Sequence, residues 1–354
     1  MKKYRISKVV LGVIAVTIVL AAGLLCLKEI NLWDAGDDDE SVSEESEQSD
    51  EPELPVEEKE YPQPEYDFKT DEIVVEIDGL EREYTIAFVN DLHMITDHAS
   101  GDVTEDNMAV VRERYETLAV TEDGVFAEYL WHEVIKYLNY NDFDAVIFAG
   151  DMLDYCSNSN IIALKSGLKE LKYPSDKLMY IRSDHDYGGW YGGSGFTDSN
   201  GFSLQTLVLD GDATEKVIEF DDFIIVGINQ SYRNVSEHAR EVIDRNIARG
   251  KPVIIATHVP FYSDVDSSLE ELSMEVRNKI YYWSKDGVNY VPDGETQALI
   301  DAMYADDSNV EQIVAAHMHA SWDGYVTDRL KEHIFAPAFQ GNIGIIYVTG
   351  GKES

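Results

Sequence analysis

The chain has 354 residues, 44% of them hydrophobic and 27% charged, enough apolar content for one large core or two smaller ones. Its 68 acidic residues against 28 lysines and arginines give a formal net charge of -40, which argues against binding nucleic acid by general electrostatics. With only Cys26 and Cys156 available, neither a disulfide framework nor a CxxC metal site can be built, so any metal must be held by nitrogen and oxygen.

Lys2, Lys3, Arg5 and Lys8 precede an uncharged apolar run over residues 9–27. As a helix that run reaches about 28 Å, close to the hydrocarbon thickness of a bilayer. The basic flank predicts a retained single-pass anchor, with residues 1–8 as a cytoplasmic tail and the rest of the chain extracytoplasmic at the cell membrane. A cleaved signal peptide is the alternative, since Ala21, Ala22 and Gly23 leave a small-residue site. Leu25 before Cys26 argues against lipidation. Residues 34–66 are acidic, rich in serine and proline, and nearly free of large aliphatics. Such a stretch cannot bury enough apolar surface to offset its ordering entropy, so residues 28–70 are predicted to form a disordered stalk.

From about residue 71 to residue 354 the pattern is that of a layered α/β domain. Residues 73–77 and 84–91 read as strands, and Phe126, Leu130, Val134 and Leu138 recur at helical spacing over 125–140. A strand over 144–151, a helix over 159–172 and a strand over 177–184 follow, then a strand over 223–229. Next come a helix from Ser236 to Arg249, a strand over 252–258, a helix over 294–304 and the apolar run 311–319. Short strands are expected near 323–327, 333–336 and 343–349. Apolar strands alternating with helices imply a sheet covered on both faces.

The apolar strands end in polar clusters: Asp91-Leu92-His93, Gly150-Asp151-Met152-Leu153-Asp154, Ser183-Asp184-His185-Asp186, Thr257-His258 and His317-Met318-His319. The carboxyl ends of strands in an open α/β sheet are where ligands bind, so the clusters are expected to converge. Taken singly, such a cluster at a strand end is more often a hydrogen-bonded turn than a ligand site. Together they are hard to explain without a cation, because several buried carboxylates and imidazoles would otherwise lack partners. In an extended segment alternate residues face one side, which would let Asp91 with His93, and His317 with His319, reach one metal pair. Mixed imidazole and carboxylate ligation suits zinc, manganese or iron and does not suit calcium.

The order D-x-H, G-D-x-x-D, G-N-H-D, H, G-H-x-H resembles the pattern of calcineurin-like metallophosphoesterases, and here it reads DLH, GDMLD, SDHD, THVP and AHMH over roughly residues 84–320. The resemblance implies a four-layered α/β/β/α sandwich and two divalent metal ions. One would be held by Asp91, His93, Asp151 and His319, the second by Asp151, Asp184, His258 and His317, with Asp151 bridging. It further implies hydrolysis of phosphomonoesters or phosphodiesters, with His185 serving the leaving oxygen and Asp154 orienting His185. A plain helix N-cap is the competing reading of Asp154. The substrate would be a phosphorylated small molecule or cell-envelope polymer.

Three positions depart from the pattern: Asp184 replaces an asparagine, and Ser183 and Ala316 replace glycines. The glycine replacements are tolerable unless positive φ is required there. Asp184 adds a charge, so a catalytically weak metal-binding or ligand-sensing ectodomain with the same fold is the second functional reading, and an ion-binding structural protein the third. The glycine-rich segment from Tyr187 to Gly193 could stack a substrate or serve as a surface loop. His132, His238 and His333 are assigned to surface or packing, His98 is a remote candidate for substrate contact, and Cys156 reads as a small buried hydrophobe.

Overall fold

The apolar strands form two mixed sheets in a computed structural model of the protein, which describes residues 60–97, 103, 105–187, 215–229 and 234–351. The apolar run 9–27, the stalk as far as residue 59, His98 and the glycine-rich residues 188–193 lie outside the described residues. Among the described residues no helix is long and apolar enough to cross a membrane.

Strands β1 (Lys69–Ile77), β2 (Tyr84–Val89), β3 (Ala145–Ala149), β4 (Leu178–Ile181) and β11 (Asn342–Gly350) make one sheet in the order β1-β11-β2-β3-β4. Strands β5 (Glu215–Glu219), β6 (Ile224–Ile228), β7 (Val253–Thr257), β8 (Val310–Ala315), β9 (Trp322–Tyr325) and β10 (Lys331–Ile334) make the other, in the order β5-β6-β7-β8-β10-β9. Within them β2, β3 and β4 run parallel, as do β6, β7 and β8. Each parallel set therefore delivers its carboxyl ends to one edge.

Helices α1 (Glu105–Thr117), α2 (Ala127–Tyr140), α3 (Asn158–Leu168), α4 (Asp184–Tyr187), α5 (Glu237–Ile247), α6 (Ser268–Arg277) and α7 (Gly294–Tyr304) complete the described elements. Side-chain alternation divides the strand residues between cores. Ile86, Phe88, Ile147 and Ile181 pack with Ile225, Ile254 and Val314 between the sheets. Their neighbours Ala87, Val89, Val146 and Phe148 pack instead with Leu130, Trp131, Val134 and Leu164 of α2 and α3. On the outer side of the second sheet, Ile224, Val226 and Ile255 meet Ile243 of α5 and Leu299, Ile300 and Met303 of α7. Two covered faces explain why these strands are apolar throughout instead of alternating with polar residues. Gly227 lets the sheets approach, since a Cβ there would lie 2.6 Å from Met179 Sδ.

The helix starts at α3, α5 and α7 are fixed by Ser157, Ser236 and Asp293, whose side chains accept from the backbone N–H of Asn160, Ala239 and Thr296. Helices α1 and α6 and strand β5 escaped the sequence pattern. Among the described side chains of α1 only Val111 is buried in the core, with Tyr115 packed partly against it, so the helical apolar period is too weak to read. The stretch ahead of residue 71 also packs on the domain. The N–H groups of Glu65 and Tyr66 donate to Glu133 Oε2 at 2.5 and 3.1 Å, and Phe68 meets the rings of Tyr66 and Tyr137 edge-on at 4.8 and 5.4 Å. Isolated aromatics supply the apolar surface that an acidic average conceals.

Glu332 on β10 is fully buried, with Oε1 accepting from Phe261 N–H at 3.1 Å and Oε2 without a hydrogen-bond partner. Burial pushes its carboxyl up to about 8. The folded protein therefore holds a proton that the unfolded chain releases near 4.5, so this contribution is complete below that pH and is lost as pH rises through about 8. Glu332→Gln is expected to match wild type in denaturant unfolding at pH 4 and to exceed it by up to about 5 kcal/mol at pH 9. Equal stabilities at pH 9 would show that Glu332 ionises without cost.

Candidate metal centre

Each predicted cluster lies at the carboxyl end of its strand: Asp91 and His93 after β2, Asp151 after β3, Asp184 and His185 after β4, His258 after β7, His317 and His319 after β8. The segments are not extended, however, which corrects the alternation expected from the sequence. Asp91, His93, Asp151, His317 and His319 have φ values of 47°, 48°, 50°, 72° and 58°. Left-handed backbone costs a non-glycine residue on the order of 1 kcal/mol or more and persists only where surrounding structure over-determines it. Here the β2 and β3 loops hold each other, with Asp91 N–H donating to Gly150 O at 3.0 Å and His93 N–H to Asp151 O at 2.8 Å. Gly150 itself has φ of 87°, and a Cβ there would lie 2.7 Å from His258 Nδ1. Ser183 and Ala316 lack positive φ, so their replacement of the usual glycines carries no backbone strain.

Three sets of side chains come within metal-ligating reach: Asp91 with His93 and His319, Asp151 with His258 and His317, and His93 with Asp151 and His185. In the first, Asp91 Oδ1 lies 3.5 Å from His319 Nε2 and 3.8 Å from His93 Nε2. In the second, Asp151 Oδ2 lies 3.4 Å from His258 Nε2, whose distance to His317 Nδ1 is 3.1 Å. Asp151 Oδ2 is also 3.6 Å from His93 Nε2, which joins the sets. Asp184 belongs to none of them, although it is buried and its Oδ1 has no hydrogen-bond partner.

Burial alone would push Asp91 and Asp151 up, yet both stay well below the usual carboxylate range because His319 and His258 stand beside Asp91, and His258, His185 and His93 beside Asp151. Asp184 is raised by burial and by Asp151. For His185 burial acts downward, but Asp151, Asp184 and Asp154 outweigh it and lift the imidazole to about 9. Burial lowers His319 to about 4, against the pull of Asp91.

These residues fit a bound cation. Asp91 Oδ1, Asp184 Oδ1 and His317 Nε2 are buried acceptor or donor atoms without hydrogen-bond partners. Leaving such groups unpaired costs several kcal/mol, whereas a cation satisfies nitrogen and carboxylate lone pairs together. The outer contacts orient the rings correctly for this: His258 Nδ1 donates to Ala149 O at 2.8 Å and His93 Nδ1 to Asp154 Oδ1 at 2.9 Å, turning each Nε2 inward.

The role expected for Asp154 needs correction. Its carboxylate binds His93 and Arg114 of α1, with Arg114 Nε 2.7 Å from Oδ2, and lies 3.7 Å from His185 Nδ1. His185 is oriented instead by the Asp154 backbone carbonyl, which accepts from Nδ1 at 2.6 Å. Nor is Asp154 a helix cap, since α3 is capped by Ser157.

Several neighbours were not singled out in the sequence. Asn90 Nδ2 donates to Asp91 Oδ2 at 2.8 Å, and the ring of Tyr281 stacks on His317 with centroids 4.4 Å apart. Arg277 Nη2 donates to His317 O at 2.8 Å. Asn90 adjoins a motif and could have been suspected; Arg114, Arg277 and Tyr281 carry no local signal. His132 and His238 are exposed, and Cys156 is fully buried with its thiol pushed up to about 12. His333 is buried between Asp71 and Asp323, at 3.3 and 3.5 Å.

Imidazoles and carboxylates gathered at the carboxyl ends of two parallel strand sets define an α/β protein with a buried group of candidate metal ligands. The family model for calcineurin-like phosphoesterases matches residues 84–321, and the chain belongs to that family. Similar solved structures include a dimetal phosphatase from Danio rerio, with 10% identity, a TM-score of 0.43, and coverage of 73% of this chain and 88% of that one. A purple acid phosphatase from yellow lupin has 12% identity and a TM-score of 0.39, covering 77% of this chain and 45% of that one. The phosphopantetheinyl hydrolase of Mycobacterium tuberculosis has 11% identity and a TM-score of 0.35, covering 72% and 90%. No curated protein matches the chain.

Proposed function

We propose that the protein hydrolyses phosphomonoesters or phosphodiesters at a dinuclear metal centre, on the outer side of the membrane. The observation that carries this is the place of Asp151 in two ligand sets, with His93 and His185 in one and with His258 and His317 in the other, while His93 is shared in turn with Asp91 and His319. Asp91, His93, Asp151 and His319 would hold one divalent ion, and Asp151, His258 and His317, with Asp184 as the family pattern implies, the second. Bound manganese, iron or zinc would supply an acidified water and neutralise phosphoryl oxygens. His185 has 16% of its side chain exposed, so it can meet a substrate while Nδ1 stays bonded to Asp154 O. Its Nε2 would then hold the proton that passes to the leaving oxygen.

A second reading, a catalytically weak metal-binding or ligand-sensing ectodomain, draws on the buried carboxyl of Asp184 beside Asp151, where the pattern has a neutral amide. One experiment separates the readings and tests the location together. Intact cells and lysates carrying the full chain are supplied with a membrane-impermeant aryl phosphate and its diester, with added manganese or zinc. Turnover by intact cells above the background of an Asp151→Asn strain is expected. Activity only after lysis would reverse the orientation inferred from Lys2, Lys3, Arg5 and Lys8, and none in either sample would favour the sensor.

A further inference from the structure

We propose that Arg114 is a positioning residue of the metal centre, which fixes the ring of His93 through the carboxylate of Asp154. The inference rests on the reading of this centre as a cation site. It concerns a helix that contributes no ligand.

Arg114 lies in the last turn of α1 and grips both oxygens of Asp154, with Nε 2.7 Å from Oδ2 and Nη2 2.5 Å from Oδ1. A guanidinium fork matched to two carboxylate oxygens sets the plane of the carboxylate as well as its place. Asp154 is fully buried, and its Oδ1 also accepts from His93 Nδ1 at 2.9 Å. The plane of the carboxylate therefore sets the rotation of the His93 ring. That rotation places Nε2 3.0 Å from His319 Nε2, 3.6 Å from Asp151 Oδ2 and 3.8 Å from Asp91 Oδ1, where the ligand sets meet.

A purely structural role for Arg114, tying α1 to the domain, is the competing explanation. The helix already has other attachments: Val111 is buried in the core, and Tyr115 stacks on Phe126 with ring centroids 4.5 Å apart and planes 10° from parallel. The Arg114 side chain is 28% exposed, so a small guanidinium ion can reach the space it would leave.

The test uses the full chain in detergent, loaded with cobalt(II) as a spectroscopic probe and with zinc for chelator competition. Arg114→Ala is expected to weaken retention of one of the ions by about 10- to 100-fold, the range for loss of a group that orients a ligand, and to alter the visible cobalt spectrum. Arg114→Lys, with a single point donor, should fall between. Asp154→Asn should reproduce the Arg114→Ala loss, and the double variant should be no worse than the weaker single, because both act through one contact. Added guanidinium ion at millimolar concentration should restore retention in Arg114→Ala and leave Asp154→Asn unchanged, a rescue that a lost helix attachment would not show. Should Arg114→Ala fail to fold, Arg114→Lys and its cobalt spectrum decide. Wild-type retention and spectrum in the Arg114 variants, or losses that add in the double variant, would overturn the proposal. A wild type that binds cations without hydrolysing phosphate esters would sink the enzymatic reading alone; a wild type that takes up no cation would sink both.

Discussion

Asp151→Asn is expected to abolish turnover and release at least one of two bound cations. Asp151 belongs to two of the three ligand sets and its Oδ2 lies 3.4 Å from His258 Nε2 and 3.6 Å from His93 Nε2, so its charge serves both sides of the centre. Asparagine is a better replacement than alanine. With φ of 50° at this position, alanine would add backbone strain on the order of 1 kcal/mol to the loss of charge, while asparagine tolerates that conformation. Asp151 N–H also donates to Ser183 Oγ at 2.6 Å, a backbone contact that asparagine leaves in place. Metal content and turnover measured on one preparation check the result. Full retention of both ions would remove Asp151 from the ligand sets, and retained turnover would remove it from the reaction.

His185→Ala should have the opposite profile, with both cations retained and turnover lowered by about 10²- to 10⁴-fold, the range for loss of a general acid. The ring is within reach of His93 and Asp151, so a ligand role is the serious alternative. The family pattern implies the catalytic role, and the 16% exposure of the side chain leaves it able to meet a substrate. Loss of metal from this variant would transfer His185 to the ligands, and an unchanged rate would mean that another group serves the leaving oxygen.

Much of the centre could be read before any coordinates. The order of the polar clusters, and their place where apolar runs stop, follow from local rules: β-branched and aromatic runs form strands, and strands end where buried polar groups begin. Ser236 marked a helix start for an equally local reason, since a side chain three residues before an N–H can cap it whatever the rest of the chain does. Apart from β5, strand existence was legible; sheet membership was not. Nothing near residues 342–350 indicates that β11 inserts between β1 and β2, because pairing of segments more than 250 residues apart is decided by packing.

The sequence by itself determined the chemistry available: nitrogen and oxygen groups without thiolates, gathered in five clusters where apolar strands end. Only the tertiary structure decided how those groups are divided. Asp154 turns its carboxylate to His93 because Arg114 arrives from α1 at 2.7 Å, and leaves its carbonyl to His185. Asp184 stands outside the sets that its motif predicts. Side-chain direction at a strand end depends on backbone angles, and the left-handed turns at Asp91, His93, Asp151, His317 and His319 are imposed by neighbouring loops from distant parts of the chain. A local pattern can name these residues, but the contacts that hold them in so costly a conformation exist only once the sheets have packed.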